Sequence, residues 1–186
     1  LTAIAGLIDG ANVWMGGDSA GVSGYSLTVR KDPKVFTIDE FIIGYTSSFR
    51  MGQLLRFYLK PDSPKENQNK YEYMVCSFIP KVRQVLRDNG YLKMENNKEI
   101  AGTFLVGWRG CLYIIHNDLQ VGEAALPYVT CGCGQDVALG SLHATESSKP
   151  TLSPKDRIHT ALQAAEQFSA GVRSPFTILT TTAQNA

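Results

Sequence analysis

The apolar positions at the start of the chain fall in short runs of strand length. Two such runs, rich in β-branched residues, flank Asp9-Gly10, a pair that marks a tight turn because glycine accepts positive φ without steric cost. The pattern predicts a hairpin that ends in Gly16-Gly17-Asp18-Ser19, where small side chains let other groups approach the backbone. Strand-like runs follow at Ser26–Arg30, Lys34–Ile38 and Phe41–Thr46, the last of them apolar on both faces. After Ser47-Ser48, which can cap a helix, Met51, Leu54, Leu55, Tyr58 and Leu59 recur at helical spacing and predict a helix over 48–60. The polar stretch 60–70 carries Pro61 and Pro64 and reads as a mobile loop. A second helix is predicted over 71–89, with Met74, Val75, Phe78, Ile79, Val82, Val85 and Leu86 on one face and Pro80 as a kink within it.

The second half repeats the scheme. Runs at Gly102–Arg109, Cys111–His116, Leu119–Val121 and Tyr128–Thr130 read as strands. Val137, Ala138, Leu139, Leu142 and Ala144 predict a helix over 135–147. Ser153-Pro154-Lys155-Asp156 is a helix start, with Ser as cap, Pro in the first position and Asp in the first turn. Ile158, Ala161, Leu162, Ala165 and Phe168 continue that helix, and Gly171 ends it. Residues 175–180 form a last strand, and 181–186 are expected to be a loose tail. Runs of strands alternating with pairs of helices predict an α+β chain with two stacked sheets between helix layers. No linker or repeat divides residues 1–186, so one domain is expected.

Composition narrows the partners. A formal net charge of +1 and a pI of about 7.8 supply no electrostatic reason to bind nucleic acid or an anionic membrane. No apolar run reaches the ~18 residues of a membrane span, and the N-terminus lacks the pattern of a signal peptide. The cysteines Cys76, Cys111, Cys131 and Cys133 do not have the spacing of a disulfide scaffold. Cys131-Gly132-Cys133 lacks the two further ligands that zinc needs. Reduced thiols, no metal, no cofactor and a cytoplasmic location are expected. No ATP-binding motif is present, so any energy-dependent unfolding would come from another chain. His116, His143 and His159 are scattered and receive no catalytic role.

Three polar residues stand apart: Thr2 at the chain start, Asp18 at the end of the second strand and Lys34 at the start of a later one. A hydroxyl is a poor nucleophile until a base takes its proton, and an N-terminal α-amine can be that base. Such an amine titrates near about 7.7–8.0. A neighbouring ammonium would push it down, because like charge disfavours protonation. A carboxylate at Asp18 would keep Lys34 charged and aimed.

Asp18 and Lys34 follow Thr2 by 16 and 32 positions. In spacing and order the chain resembles the proteasome β-type subunits and the peptidase of the bacterial ATP-dependent ring protease, which are N-terminal-nucleophile hydrolases. Lys34-Val35-Phe36-Thr37-Ile38-Asp39 matches them in texture. The resemblance implies a four-layer αββα sandwich. It implies a threonine-type peptidase acting on peptide or unfolded protein, assembled as a homo-oligomeric ring and served by a separate ATP-dependent unfoldase. Thr2, Lys34 and Asp18 would be catalytic, and the backbone at Ser47, where the family has Gly, and Ser48 would hold the oxyanion. Ser19, Cys133 and Ser169 would support the amine. Gly21, Asp32, Phe36 and Thr46 would set the substrate pocket. The chain departs from the family in carrying Gly132-Cys133-Gly134 in place of Gly-Ser-Gly, and Ser169 and Val172 in place of Asp and Ser. A catalytically inactive assembly subunit and a small-molecule amidase on the same fold are the alternatives.

The expected mechanism needs a free amine on Thr2, and Leu1 precedes it. Leu1 would be an initiator residue that is trimmed, the end of a propeptide that Thr2 cleaves, or a residue that stays and leaves Thr2 without its amine.

Overall fold

The computed structural model describes residues 1–148 and 151–181. The chain opens with β1 (Ala3–Asp9), β2 (Asn12–Gly17), β3 (Ala20–Ser23), β4 (Ser26–Val29), β5 (Val35–Ile38) and β6 (Phe41–Tyr45). Helices α1 (Phe49–Tyr58), α2 (Lys70–Tyr73) and α3 (Ile79–Asp88) follow. Next come β7 (Lys93–Glu95), β8 (Lys98–Ile100), β9 (Phe104–Trp108), β10 (Cys111–Ile115), β11 (Val121–Glu123) and β12 (Tyr128–Gly132). Helices α4 (Gln135–Ala144) and α5 (Pro154–Phe168) lead into β13 (Thr177–Thr181).

Two antiparallel sheets form the middle. One has the order β12-β1-β2-β13 and the other β11-β10-β9-β6-β5. The period of two along β1 decides which side chain goes where. Ala3, Ala5 and Leu7 pack under Ile158, Leu162 and the rest of the α4–α5 layer. Ile4 turns the other way and meets Val13, Met15, Val35, Ile42 and Leu105 between the sheets. The second sheet presents Phe41, Ile43, Val106 and Trp108 to α1 and to the helical path from α2 to α3. Each sheet is therefore covered by helices on its outer face, which gives the four-layer αββα sandwich.

The predicted helix over 71–89 is a continuous helical path with a five-residue π turn, Met74–Phe78, between α2 and α3. Pro80 explains the wide turn. It has no N–H to return to the preceding turn, and its ring needs the extra room. Tyr58, Val75, Leu139 and Phe168, expected on the apolar faces of their helices, are exposed. Three strands were not anticipated. β3 pairs with β4 as a small separate sheet, and β7 pairs with β8 around Asn96 and Asn97, both at positive φ. Residues 182–186 of the expected tail lie outside the described residues, while Thr181 closes β13. Among the described residues no helix is long and apolar enough to cross a membrane.

Candidate active site

β1, β2 and the start of β5 converge on one point. Ile4 pairs with Gly17 across the hairpin, which brings Thr2 alongside Asp18. A Cβ on Gly17 would lie 2.8 Å from Ile4 and 2.9 Å from Val35, so only glycine lets β5 and Lys34 come this close. Lys34 Nζ donates to Thr2 Oγ1 at 2.9 Å and to Asp18 Oδ1 at 2.9 Å. Thr2, Asp18 and Lys34 are all buried, with Lys34 1% exposed.

The carboxylate of Asp18 is surrounded by donors. Oδ1 also accepts from the Ala3 N–H at 3.1 Å, and Oδ2 accepts from the N–H groups of Ala20 at 2.8 Å and Arg173 at 3.3 Å. These bonds fix the carboxylate independently of Lys34, and they compensate its burial. The ammonium of Lys34 is held below its ordinary range. Burial away from water is the larger cause, and it outweighs the attraction of Asp18 and the hydrogen bond to it. A cation whose proton is loosened next to a hydroxyl is suited to move that proton.

The other face of Thr2 meets the β12–α4 turn. The Thr2 N–H donates to Cys133 Sγ at 3.2 Å, and that sulfur is 3.3 Å from Ser169 Oγ. Gly134 N–H donates to the Thr2 carbonyl at 3.2 Å. Gly132 has φ +102°, and a Cβ there would collide with the Thr2 carbonyl oxygen. The Gly-Cys-Gly turn is thus shaped by the residue it holds. Leu1 precedes Thr2, and Thr2 Oγ1 donates to the Leu1 carbonyl at 2.5 Å.

A cleft of about 80 Å³ opens at Thr2, bounded by Val22, Lys34, Tyr45, Ser47 and Phe49. Ser47 has φ +70°, the left-handed region that a Cβ disfavours. Its N–H has no acceptor among the described residues, and its Oγ accepts from Thr103 N–H at 3.2 Å. Ser48 differs from the expectation. Its N–H donates to the Thr46 carbonyl at 2.8 Å, and its Oγ caps α1 by accepting from Arg50 and Met51. Of the two expected donors, only Ser47 keeps a free N–H.

The remaining expected positions are dispersed. Thr46 lines the cleft. Ser19 does not reach Thr2; its Oγ donates to the Pro175 carbonyl and ties the segment after α5 to β2. Gly21 is on β3 opposite Thr28. Asp32 accepts from Arg30 Nε at 2.9 Å and Nη2 at 2.8 Å beside a neighbouring cavity. Phe36 is in the core, 4% exposed and against Tyr45, because the β5 alternation turns it under α1 rather than into the cleft. Tyr45, Phe49, Val22 and the backbone of Arg173 were missed. Arg173 is 155 residues from Asp18, and no local pattern joins the two.

BPH of Thiobacillus denitrificans, solved in complex with epoxomicin, superposes with a TM-score of 0.82 at 15% identity, covering 99% of this chain and 100% of that one. Eukaryotic HslV from Trypanosoma brucei gives 0.68 at 15% identity, over 96% of this chain and 98% of that one. Anbu (ancestral beta-subunit) from Yersinia bercovieri gives 0.67 at 15% identity, over 97% and 82%. The chain has the fold of a proteasome-like subunit. No family model matches the sequence, and no curated protein sequence does. At this identity the proteasome-like fold is what the likeness carries.

Proposed function

We propose that this proteasome-like chain is a threonine-type peptidase that hydrolyses peptide bonds through an acyl-enzyme on Thr2. The observation that supports it most is Lys34 Nζ lying 2.9 Å from both Thr2 Oγ1 and Asp18 Oδ1 in a buried setting. In this reading the Thr2 nitrogen, once it is a free amine, takes the hydroxyl proton as Oγ attacks the substrate carbonyl. The Ser47 N–H faces the oxyanion. The amine proton passes to the leaving nitrogen, and water then hydrolyses the ester. Lys34 holds the hydroxyl and lowers the basicity of the amine, and Asp18 orients Lys34.

The same attack can free the amine. If Thr2 Oγ adds to the Leu1 carbonyl carbon, an O–C bond forms, the Leu1–Thr2 C–N bond breaks and a proton passes to the Thr2 nitrogen. Water then releases Leu1 from the ester. The resemblance to ring proteases favours a homo-oligomeric ring fed by a separate unfoldase, with peptide or unfolded protein as substrate.

A second reading is a non-catalytic assembly subunit. It is favoured by the partners of the Thr2 nitrogen: a thiol, and behind it the Ser169 hydroxyl, with no carboxylate among them. Thr2→Ala separates the two readings. On the peptidase reading it abolishes hydrolysis of fluorogenic peptide amides and leaves the number of subunits in the assembly unchanged, while the wild-type chain loses Leu1 by intact mass and the variant keeps it. Turnover that survives Thr2→Ala refutes the peptidase reading, and a wild type inert towards peptides after exposure of the amine supports the assembly reading.

A further inference from the structure

Gly171 lies where α5 has ended and the chain runs back towards Asp18. Its φ is not positive, and α5 already closes on Ser169, whose N–H donates to the Ala165 carbonyl at 2.9 Å. Neither the backbone conformation nor the helix end therefore calls for glycine. The neighbouring side chains do. A Cβ on Gly171 would collide with Leu1 Cβ, and it would lie 3.1 Å from Leu1 Cγ and 2.8 Å from Cys133 Sγ. The backbone at Gly171 is not free to make that room. Val172, the next residue, is buried in the α4–α5 core. Arg173 follows, with its N–H on Asp18 Oδ2 at 3.3 Å and its carbonyl accepting from Ser19 N–H at 2.8 Å. Leu1 is 60% exposed, so the leucine is what would give way.

We propose that Gly171 is a positioning residue for the release of Thr2: its missing side chain seats the leucine that precedes the nucleophile, and so places the carbonyl that Thr2 attacks. This rests on the self-cleavage proposed above. In that step Thr2 Oγ adds to the Leu1 carbonyl carbon, the hydroxyl proton ends on the Thr2 nitrogen as the C–N bond breaks, and water hydrolyses the ester. The Thr2 side of the bond is fixed at three points: its N–H on Cys133 Sγ, its carbonyl on Gly134 N–H and its hydroxyl on Lys34 Nζ. On the other side, the Leu1 carbonyl accepts from Thr2 Oγ1 at 2.5 Å and from Lys34 Nζ at 3.5 Å, which sets a cation beside the oxygen where negative charge develops. Leu1 Cβ rests against the bare Gly171 while it does so. A methyl group on Gly171 strikes a carbon next to the Leu1 backbone rather than the far end of the side chain. Residue 1 then moves as a whole, and a displacement of ~1 Å at a reacting centre costs about 10²-fold in rate.

The test follows the full chain by intact mass at timed intervals after cell-free synthesis and scores the fraction that begins at Thr2, with thermal melting as the check on folding. The wild type should shed Leu1, and Gly171→Ala should do so about 10²-fold more slowly. Leu1→Gly in the Gly171→Ala chain removes the carbon that the new methyl strikes, and should bring release back to within about tenfold of the wild type. That recovery separates a seat for Leu1 from general damage, because damage at Gly171 is not repaired by shortening residue 1. If Gly171→Ala alone does not fold, the double variant decides. Release at the wild-type pace supports the proposal, and a double variant that fails to fold or keeps residue 1 overturns it. A Gly171→Ala chain that sheds Leu1 as fast as the wild type also overturns it, and leaves self-cleavage and the peptidase reading standing. A wild type that keeps Leu1 throughout overturns self-cleavage and this inference together; peptide turnover by a chain whose Thr2 amine has been exposed then judges the peptidase reading separately.

Discussion

Asp18→Asn isolates the buried ion pair without changing the shape of the side chain. The carboxylate receives four donors: Lys34 Nζ and the Ala3 N–H on Oδ1, and the Ala20 and Arg173 N–H groups on Oδ2. An amide offers one acceptor and one donor end, so whichever way it turns, its NH₂ faces two donors. Lys34 is left as a buried ammonium with its counter-charge gone. Removing one partner of a buried pair costs about 3–5 kcal/mol. At ~2–4 °C per kcal/mol for a chain of this size, Tm falls by about 6–20 °C. The loss carries a pH signature. The folded-state pKa of Lys34 is already lowered, chiefly by burial. Between that value and its ordinary value near 10.5 the unfolded chain binds the proton more tightly, so stability rises with pH. Asp18→Asn lowers the folded value further. The deficit against wild type is therefore largest near pH 6 and narrows towards pH 10 as Lys34 sheds its proton in the folded state. Urea unfolding across that range at fixed protein concentration reads it directly, and Lys34→Met in the Asp18→Asn background should recover at least about 1 kcal/mol. A deficit under about 1 kcal/mol, or one flat with pH, would refute the argument that the pair is buried and mutually dependent.

Two further substitutions probe the same corner. Lys34→Arg keeps a cation beside Asp18 and Thr2, but a longer, planar guanidinium does not reproduce the one ammonium that bridges Thr2 Oγ1 and Asp18 Oδ1; peptide turnover should fall by about 10²-fold because the Thr2 hydroxyl is misplaced, while denaturant stability falls less than for Asp18→Asn. Gly132→Ala puts a Cβ onto the Thr2 carbonyl oxygen at a φ of +102°; urea unfolding should show a loss of about 1–3 kcal/mol, and turnover should drop at least tenfold because Thr2 is displaced from Lys34.

Most of the architecture is written in local patterns. The period-two alternation in β1 and β2, the Asp9-Gly10 turn, the Ser48 and Ser153 caps and the helical stripe of α5 can each be read within a dozen residues. Elements that bury little left weak traces. β3 is buried at only one of its four positions, and β7 and β8 are exposed or half-buried throughout. Their strand character comes from hairpin pairing rather than from an apolar face, so no hydrophobic pattern announces them. The π turn was half-legible: Pro80 marks a disturbance in the helix, but whether the helix kinks or widens depends on how Tyr73, Met74 and Phe78 pack against Phe41 and Trp108.

The site divides along the same line. Thr2, Asp18 and Lys34 could be found because each lies at the end or start of a strand whose register is fixed by its own residues, so their separations along the chain translate into distance in space. The walls of the cleft could not. Phe49 looks like an ordinary first-turn helix residue, and Tyr45 like a buried strand residue. Phe36 looks as good a pocket candidate as either until the β5 alternation turns it inward. What distinguishes Phe49 is a guanidinium nineteen positions earlier lying across its ring, and what fixes Tyr45 is a glycine seven positions later under its own. Both are consequences of packing between layers. The chemistry proposed at Thr2 is thus carried by positions that local sequence specifies, whereas the shape of the cleft beside it is carried by contacts that exist only once α1 is laid against the second sheet.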